Sequence, residues 1–136
     1  MIVGFTGTRN GMTDEQIAIF EGLIPRPASF HHGSCKGADV QAARIVRKLF
    51  RDHIPIIAHP GPDGDSNRED SGVDDEKCPP RSHLARNRDI VNLCDLLIAC
   101  PFESEEQPRG GTWYTIRYAR NRGVNVTIIY PDGGIE

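Results

Sequence analysis

Apolar, β-branched runs that end at glycine or proline recur along this chain and alternate with segments of helical period. The runs are Ile2–Thr6, Ser29–His32, Ile54–Ala58, Leu96–Cys100 and Val124–Tyr130. The segments of helical period are Thr13–Leu23, Ala38–Phe50, Ser82–Leu93 and Thr112–Arg122. Strands that alternate with helices pair in parallel through right-handed crossovers and carry helices on both faces of the sheet. The sequence therefore predicts an α/β, three-layer domain with about five mostly parallel strands.

Local signals mark where these helices begin and end. Thr13 and Gln16 have the spacing of a capping box, which predicts the start of the first helix. Gly123 follows the last helical segment, at the position where a left-handed residue commonly ends a helix. Since the chain has 136 residues, we expect one domain.

Charge is concentrated in one segment. Residues 61–80, called the acidic segment below, hold seven acidic and two basic residues, whereas the net charge of the whole chain is −3. The acidic segment is rich in proline and glycine and is predicted to be a solvated loop inserted between the third strand and the third helix. A weakly acidic chain is not drawn to nucleic acid or to an anionic membrane, so neither is an expected partner.

Cysteine usage and the apolar pattern bear on the cellular compartment. The four cysteines form neither a Cys-x-x-Cys pair nor a disulfide framework. The chain starts directly with a strand-like run rather than a signal peptide, and no apolar stretch is long enough to span a bilayer. We expect a cytoplasmic protein.

Short signatures of glycine and basic residues stand where the apolar runs end. They are Gly4-Phe5-Thr6-Gly7-Thr8-Arg9, Gly33-Ser34-Cys35-Lys36-Gly37-Ala38-Asp39, Arg86-Asn87-Arg88 and Arg109-Gly110-Gly111-Thr112. The carboxyl ends of parallel strands lie at one edge of a sheet, and helix N-termini there favour anions. The predicted ligand-binding residues are Gly7, Thr8, Arg9, Gly33, Ser34, Lys36, Gly37, Asp39, Arg86, Asn87, Gly110, Gly111 and Thr112.

Several of these residues have an alternative, structural interpretation. Gly33 and Gly37 suit a tight turn as well as a phosphate loop. Asp39 suits a capping or helix-dipole role as well as a polar contact to the ligand. Thr112 suits a plain N-cap.

Neighbouring residues on the third and fourth helices are expected to differ in role. Arg86 and Arg88 are two apart on a helix and cannot face the same way, so Arg86 is predicted to face the site and Arg88 to face solvent or a helix. Trp113 and Tyr114 are predicted to pack in the core or at an interface rather than against a base.

Three other patterns are weak. The loop at Asp63–Asn67 resembles half of a calcium loop, but Arg68 replaces the required glycine. His31 and His32 lie on opposite faces of a strand and cannot converge on a metal, so no metal site is predicted. Cys35 could act as a nucleophile, but the sequence shows no base and orienting group to accompany it.

The glycine signatures, in this order and together with Asp95 before a strand, resemble the SLOG superfamily. That superfamily includes the YspA-like proteins, the Rossmann domain of Smf/DprA and the LOG phosphoribohydrolases. The chain looks most similar to the small YspA-like branch, over nearly its whole length except the acidic segment. The resemblance implies a Rossmann-like domain that binds nucleotides at its glycine-rich edge. It also implies that relatives cleave N-glycosidic bonds, sense nucleotides or, for DprA, bind single-stranded DNA.

One departure from the LOG pattern concerns catalysis. LOG enzymes carry a glutamate three residues after the Gly-Thr of the fourth signature, whereas this chain has Thr115 there. A threonine cannot supply the negative charge that stabilises an oxocarbenium-like transition state. If the chain were a hydrolase, Asp39 or Glu103 would be the candidate carboxylates.

We therefore expect a domain that binds a nucleotide, or an ADP-ribose-like, NAD-like or nucleoside monophosphate ligand, as a sensor or binding protein that needs no further cofactor. Hydrolysis of a nucleoside monophosphate is the alternative, and single-stranded DNA binding is a second one. A homodimer or higher homo-oligomer is also expected, because related domains pair.

Overall fold

The computed structural model describes residues 1–136 and places six strands in one sheet. The strands are β1 Ile2–Gly7, β2 Ser29–His32, β3 Ile56–Ala58, β4 Glu76–Lys77, β5 Leu96–Cys100 and β6 Asn125–Ile128. The helices are α1 Asp14–Leu23, α2 Ala38–Leu49, α3 His83–Leu93 and α4 Gly111–Asn121.

The strand order is β4-β3-β2-β1-β5-β6, and every pair of neighbouring strands is parallel. This arrangement confirms the predicted α/β, Rossmann-like class. The strand number is six rather than about five, because the acidic segment contributes β4. In β4, Glu76 pairs with Ile57 and Lys77 with Ala58, so part of the expected loop forms the edge of the sheet.

The two faces of the sheet receive different helices. Val3 and Phe5 point to the face covered by α1 and α2, where they join a core cluster with Phe20 of α1. Gly4, between them, faces α3, and a Cβ there would lie 2.9 Å from Ile90 Cγ2. The glycine thus allows α3 to pack directly on the central strand, and helices cover both faces as predicted.

The local signals at the helix ends are confirmed. Thr13 Oγ1 accepts a hydrogen bond from Gln16 N at 3.1 Å, and Gln16 Oε1 accepts one from Thr13 N at 3.0 Å, which completes the capping box. Gly123, with φ of 75°, follows the C-cap residue of α4.

Two strands are shorter than predicted. The run Ile54–Ala58 forms a strand only from Ile56, because Pro55 has no N–H to donate to the ladder. The run Val124–Tyr130 ends as a strand at Ile128, because the chain then turns back and Ile129 pairs with Ile135 in antiparallel orientation. Of the four helices, none is long and apolar enough to cross a membrane.

Candidate functional site

A cleft of about 760 Å³ lies at the carboxyl ends of the central strands. The chain leaves β1 for α1 on one face of the sheet and leaves β5 for α4, which packs on the other face. Ligands of open α/β sheets bind at this kind of switch point, because the two connections diverge and leave a crevice. The cleft is therefore the candidate functional site.

The turn after β1 forms one wall of the cleft. Thr8 N donates to Cys100 O of β5 at 3.0 Å, and Thr8 Oγ1 accepts from Asn10 N at 3.1 Å, so the turn is fixed at both ends. Gly7 is required here, because a Cβ would lie 2.6 Å from Ala38 Cβ of α2. Arg9 is exposed, and its guanidinium makes no hydrogen bond or ion pair within the chain. Arg9 thus has its donors available for an anion.

The predicted phosphate loop after β2 is arranged differently from the expectation. Gly33, Ser34, Lys36 and Gly37 do not line the cleft. Asp39 Oδ2 accepts hydrogen bonds from Gly33 N at 3.1 Å and Cys35 N at 3.3 Å, so these backbone donors face a carboxylate. The sequence pattern of a glycine loop before a helix fits both arrangements, and the buried acid decides between them.

Asp39 is only 5% exposed and lines the cleft. Burial raises the pKa of its carboxyl, while the neighbouring His32 and Arg86 and the two loop N–H groups favour the charged form. Its structural role, tying the start of α2 to the loop before it, was one of the two interpretations of the sequence. A glycine is required at Gly37, between this loop and α2, because its φ is 88° and a Cβ there would lie 2.4 Å from Arg9 O.

Arg86 of α3 lines the cleft but is 5% exposed and largely used by the protein itself. Its Nη1 donates to Gly33 O and, at 3.2 Å, to His59 O, and its Nε donates to Asn87 Oδ1 at 2.7 Å. Arg86 therefore holds three elements together at the floor of the cleft. Asn87 also lines the cleft, close to the start of α4.

Arg88 lies outside the cleft and packs on α4. Its Nε donates to Tyr114 Oη at 2.7 Å, and its guanidinium carbon lies 5.8 Å from the centre of the Tyr114 ring. This is the helix-packing role that the sequence predicted for it. Trp113 is 2% exposed and packs with Ile116 and Ile128, which agrees with the predicted core role.

The start of α4 forms the opposite wall. Gly110 is the N-cap residue with φ of 107°, and no side chain caps the first turn of the helix. Gly110, Gly111 and Thr112 line the cleft, together with Arg109, which is exposed and makes no hydrogen bond or ion pair within the chain. Uncapped N–H groups and an unpaired guanidinium are a favourable environment for an anion.

The two positions relevant to hydrolysis have different surroundings. Thr115, at the position of the LOG glutamate, is 1% exposed, lies outside the cleft and donates to Gly111 O at 2.7 Å. Glu103 lines the cleft and accepts a hydrogen bond from Trp113 Nε1 at 2.9 Å. Cys35 also lines the cleft, and burial together with nearby Asp39 raises the pKa of its thiol to about 11. Cys35 is therefore a protonated thiol at neutral pH.

The acidic segment packs beside the cleft. Lys36 N donates to Asn67 O at 2.7 Å, and Glu69 N donates to Ser34 O at 2.8 Å, so the segment runs along the loop after β2. Further in, His32 Nε2 lies 2.6 Å from Asp74 Oδ1, with both side chains fully buried. Most of the segment is exposed, as expected of a solvated loop, but the buried contact of Asp74 with His32 anchors it to the end of β2.

Several residues of the cleft were not among the predicted site residues. They are Thr6, Asn10, Cys35, Asn67, His83, Leu84, Phe102, Pro108, Arg109, Trp113, Tyr114 and Arg117. Trp113 and Tyr114 thus border the cleft in addition to their packing contacts. Phe102 could have been found, because it follows β5 at the carboxyl edge of the sheet. Asn67 could not, because only the folding of the acidic segment brings it to the cleft.

Comparison with known proteins gives the fold. No protein-family model and no curated protein matches the chain. A molybdenum cofactor binding protein from the phototrophic bacterium Rippkaea orientalis is similar in structure, with a TM-score of 0.70, 19% sequence identity, and coverage of 95% of this chain and 76% of that one. The structural-genomics target TM1055 has a TM-score of 0.60 and 12% identity, with coverage of 92% of this chain and 71% of that one.

These likenesses establish a Rossmann-like α/β fold, as the resemblance in sequence implied. Membership of the SLOG superfamily, and of its YspA-like branch, stays a prediction.

Proposed function

We propose that this domain binds a nucleotide, or a nucleotide-derived ligand such as an ADP-ribose-like, NAD-like or nucleoside monophosphate molecule, in the cleft at the switch point. The observation that carries the proposal is the pair of unpaired guanidinium groups, Arg9 and Arg109, in one cleft with the uncapped N-terminus of α4. Guanidinium groups bind phosphate oxygens in bidentate fashion, and helix N–H groups bind the remaining oxygens.

The remainder of the cleft suits an attached ring. Phe102 and Leu84 line it with 60% and 46% of their surfaces exposed, although both are large apolar side chains. Covering them with the flat face of a base would remove apolar area from water. The volume of about 760 Å³ lies within the usual range for small-molecule sites. A ligand with a phosphate at one end and a ring at the other satisfies both parts.

Binding without chemistry is the form of the proposal that the site supports best. Thr115 faces the helix backbone rather than the cleft, and Asp39 is held by the loop N–H groups. We therefore assign the domain a sensing or carrier role, which needs only reversible binding.

A molybdenum cofactor is the second candidate ligand. Structural likeness to a molybdenum cofactor binding protein over 95% of this chain favours it. The organic part of that cofactor joins a flat pterin ring system to a phosphate, so it presents the same two chemical groups as a nucleotide. Mass spectrometry of molecules released from the purified, denatured protein distinguishes a nucleotide from a pterin directly.

The decisive experiment pairs a ligand panel with a charge inserted at the start of α4. Gly111→Asp fits sterically, since the nearest atom to a Cβ there is 3.8 Å away, and its carboxylate would repel a phosphate. We expect AMP, ADP, ADP-ribose or NAD to stabilise the wild type by about 2.7 kcal/mol at a concentration of 100 times Kd, a rise of several degrees in Tm. The rise should disappear in Gly111→Asp.

Gly22→Asp is the matched control, because Gly22 lies in α1 with nothing within 4 Å of a Cβ. The control should keep the full ligand-induced rise. The proposal fails if no nucleotide or pterin phosphate shifts the wild type, or if both variants lose the shift equally.

A further inference from the structure

A second cavity, of about 390 Å³, lies on the other side of Arg86 from the cleft. It opens beyond the ends of β3 and β4 and is bordered by the last two turns of α3. Its walls include His59, Pro60, Cys78, Pro79 and Leu93. Arg86 lines both spaces, so its side chain forms the partition between them. We call this space the His59 cavity.

His59, a largely buried residue, provides a ring nitrogen without a partner in the protein. The residue is 5% exposed, and its Nε2 lies 2.8 Å from Nδ1 of His31. His31 Nε2 in turn lies 3.0 Å from Ser29 Oγ. Nδ1 of His59 makes no hydrogen bond within the chain. Because His59 lines the cavity, this nitrogen has its hydrogen-bonding capacity available to an occupant.

The histidine pair lets this nitrogen act either as donor or as acceptor. If His31 Nδ1 carries the shared proton, His59 Nε2 accepts it and His59 Nδ1 bears a hydrogen. If His59 Nε2 carries the proton, His59 Nδ1 presents a lone pair and His31 Nε2–H donates to Ser29. Exchange between the two tautomers changes the hydrogen-bonding character of His59 Nδ1 without placing a charge in the cavity.

The charged side chains around the cavity use their hydrogen bonds within the protein. Arg81 Nη1 contacts both carboxylate oxygens of Asp89, at 2.7 and 2.6 Å. Arg86 donates to backbone carbonyls. Burial, with the neighbouring His31, lowers the pKa of His59 to about 4, so its ring is uncharged at neutral pH. The cavity thus differs from the cleft, where two guanidinium groups are unpaired.

A metal ion does not fit this lining. Although His59, Cys78 and Asp89 all border the cavity, no group of three or more His, Cys, Asp or Glu side chains is arranged to hold a metal. The prolines and Leu93 instead give it flat apolar walls. Its volume is at the small end of the range for ligand sites.

We propose that the His59 cavity is a second binding site, for a small neutral heterocycle that hydrogen-bonds to His59 Nδ1 through a ring nitrogen or N–H. Apart from Arg86, the residues that line this site differ from those of the cleft, so the proposal does not rest on what binds there.

Two cysteines allow each space to be probed separately. Cys78 lines the His59 cavity and Cys35 lines the cleft, and both are partly buried thiols. Alkylation by iodoacetamide at mildly alkaline pH, followed residue by residue by mass spectrometry, reports the occupancy of each space. Adenine, uracil and nicotinamide are the neutral probes, and benzoate is a flat anionic control.

We expect at least one neutral heterocycle, at ten times its Kd, to slow alkylation of Cys78 about tenfold by mass action while the rate at Cys35 is unchanged. Benzoate should leave Cys78 unprotected, because Arg81 is paired with Asp89 and Arg86 donates to backbone carbonyls. The proposal is overturned if none of the neutral probes slows Cys78, or if every probe slows both thiols to the same degree.

Substitutions of His59 test the recognition group. In His59→Asn the side-chain amide stands where Nδ1 was, so the contact to the ligand is kept. In His59→Gln the amide stands where Nε2 was, so the contact to His31 is kept and the contact to the ligand is removed. Protection of Cys78 should persist in His59→Asn and be lost in His59→Gln. Equal protection in the two variants would show that His59 Nδ1 is not the contact.

A second pair of variants avoids any change in the interior. Leu93→Arg and Leu84→Arg alter the same helix at side chains of similar exposure, 49% and 46%, but Leu93 borders the His59 cavity and Leu84 the cleft. Leu93→Arg should abolish protection of Cys78, and Leu84→Arg should preserve it. The reverse pattern, or equal loss in both, contradicts the proposal.

Discussion

Arg86 and Asp39 are both 5% exposed, and each uses its hydrogen bonds on the loop between β2 and α2. Asp39 accepts from Gly33 N and Cys35 N, and Arg86 donates to Gly33 O. Charged side chains buried in this way are usually paired, because an unpaired buried charge is costly. The two residues shape the floor of the cleft, whereas the exposed Arg9 and Arg109 are the residues available to a ligand.

The first prediction concerns these exposed arginines. Arg9→Ala and Arg109→Ala should each remove a charge-assisted contact worth about 1.5–3 kcal/mol, which raises the Kd for a nucleotide about tenfold to hundredfold. Isothermal titration calorimetry at fixed salt measures the change. Arg51→Ala is the control, because Arg51 is exposed, makes no hydrogen bond or ion pair, and lies outside the cleft. An equal loss in the control would mean that general charge, rather than the cleft, sets the affinity.

At the scale of elements, the acidic segment forms a structured edge of the domain. It supplies β4, an isolated bridge between Arg68 and Cys35, and the buried contact of Asp74 with His32. Since His32 Nδ1 accepts a hydrogen bond from Ser34 N, its Nε2 is the nitrogen that donates to Asp74. This one contact connects the segment to the end of β2 in the interior.

The second prediction follows from that contact. Burial alone would raise the pKa of Asp74, but hydrogen bonds from His32 and Ser71 outweigh it and leave the pKa below its usual value. A carboxyl whose pKa is lowered by folding stabilises the fold fully above its unfolded pKa, about 3.9, and loses that contribution as the pH falls through the folded value. Asp74→Asn should therefore reduce the free energy of unfolding by about 1–3 kcal/mol at neutral pH, and by less below about pH 4.

Urea unfolding at neutral and acidic pH measures this difference. Asp63→Asn is the matched control in the same segment, since Asp63 pairs with Arg68 at the surface with 85% of its side chain exposed. It should change stability by less than about 1 kcal/mol at either pH. If the two variants behave alike, the buried contact does not anchor the segment.

At the scale of the whole molecule, the strand order decides where the site lies and what surrounds it. The order β4-β3-β2-β1-β5-β6 puts the switch point between β1 and β5. It also brings Asn67, from the middle of the acidic segment, to the border of the cleft. Seven acidic residues are thus attached close to a site with two unpaired arginines.

The third prediction concerns polymers of phosphate. A mononucleotide needs only the basic cleft, whereas a nucleic acid strand would extend from it past the acidic segment and lose the favourable charge contacts on which such binding depends. Fluorescence anisotropy should therefore detect no binding of a labelled single strand of about 20 nucleotides at physiological salt, where non-specific binding is already weak. Saturable binding of the strand, competed by a mononucleotide, would contradict this.

The fold followed from local patterns in the sequence. The alternation of β-branched runs with helical periods predicted five of the six strands and all four helices, and Thr13 with Gln16 marked the start of α1 correctly. These features depend on neighbours a few residues apart, which the sequence displays directly. The strand β4 was missed, because its two residues, Glu76 and Lys77, are charged and gain strand geometry only by pairing with β3.

The glycine signatures predicted that the ligand-binding residues lie at the carboxyl edge of the sheet, because strand ends and helix starts can be recognised from local sequence. Which of their donors face the cleft was decided by the tertiary structure alone. The same kind of pattern predicted both glycine loops as binding residues. Of these, Gly110 and Gly111 line the cleft, whereas Gly33, Ser34, Lys36 and Gly37 do not. The physical reason is that a hydrogen-bond donor is available to a ligand only if nothing in the fold takes it. In the first loop, Asp39 takes the N–H groups of Gly33 and Cys35, while His32 and Asn67 take those of Ser34 and Lys36. No side chain takes the donors at the start of α4.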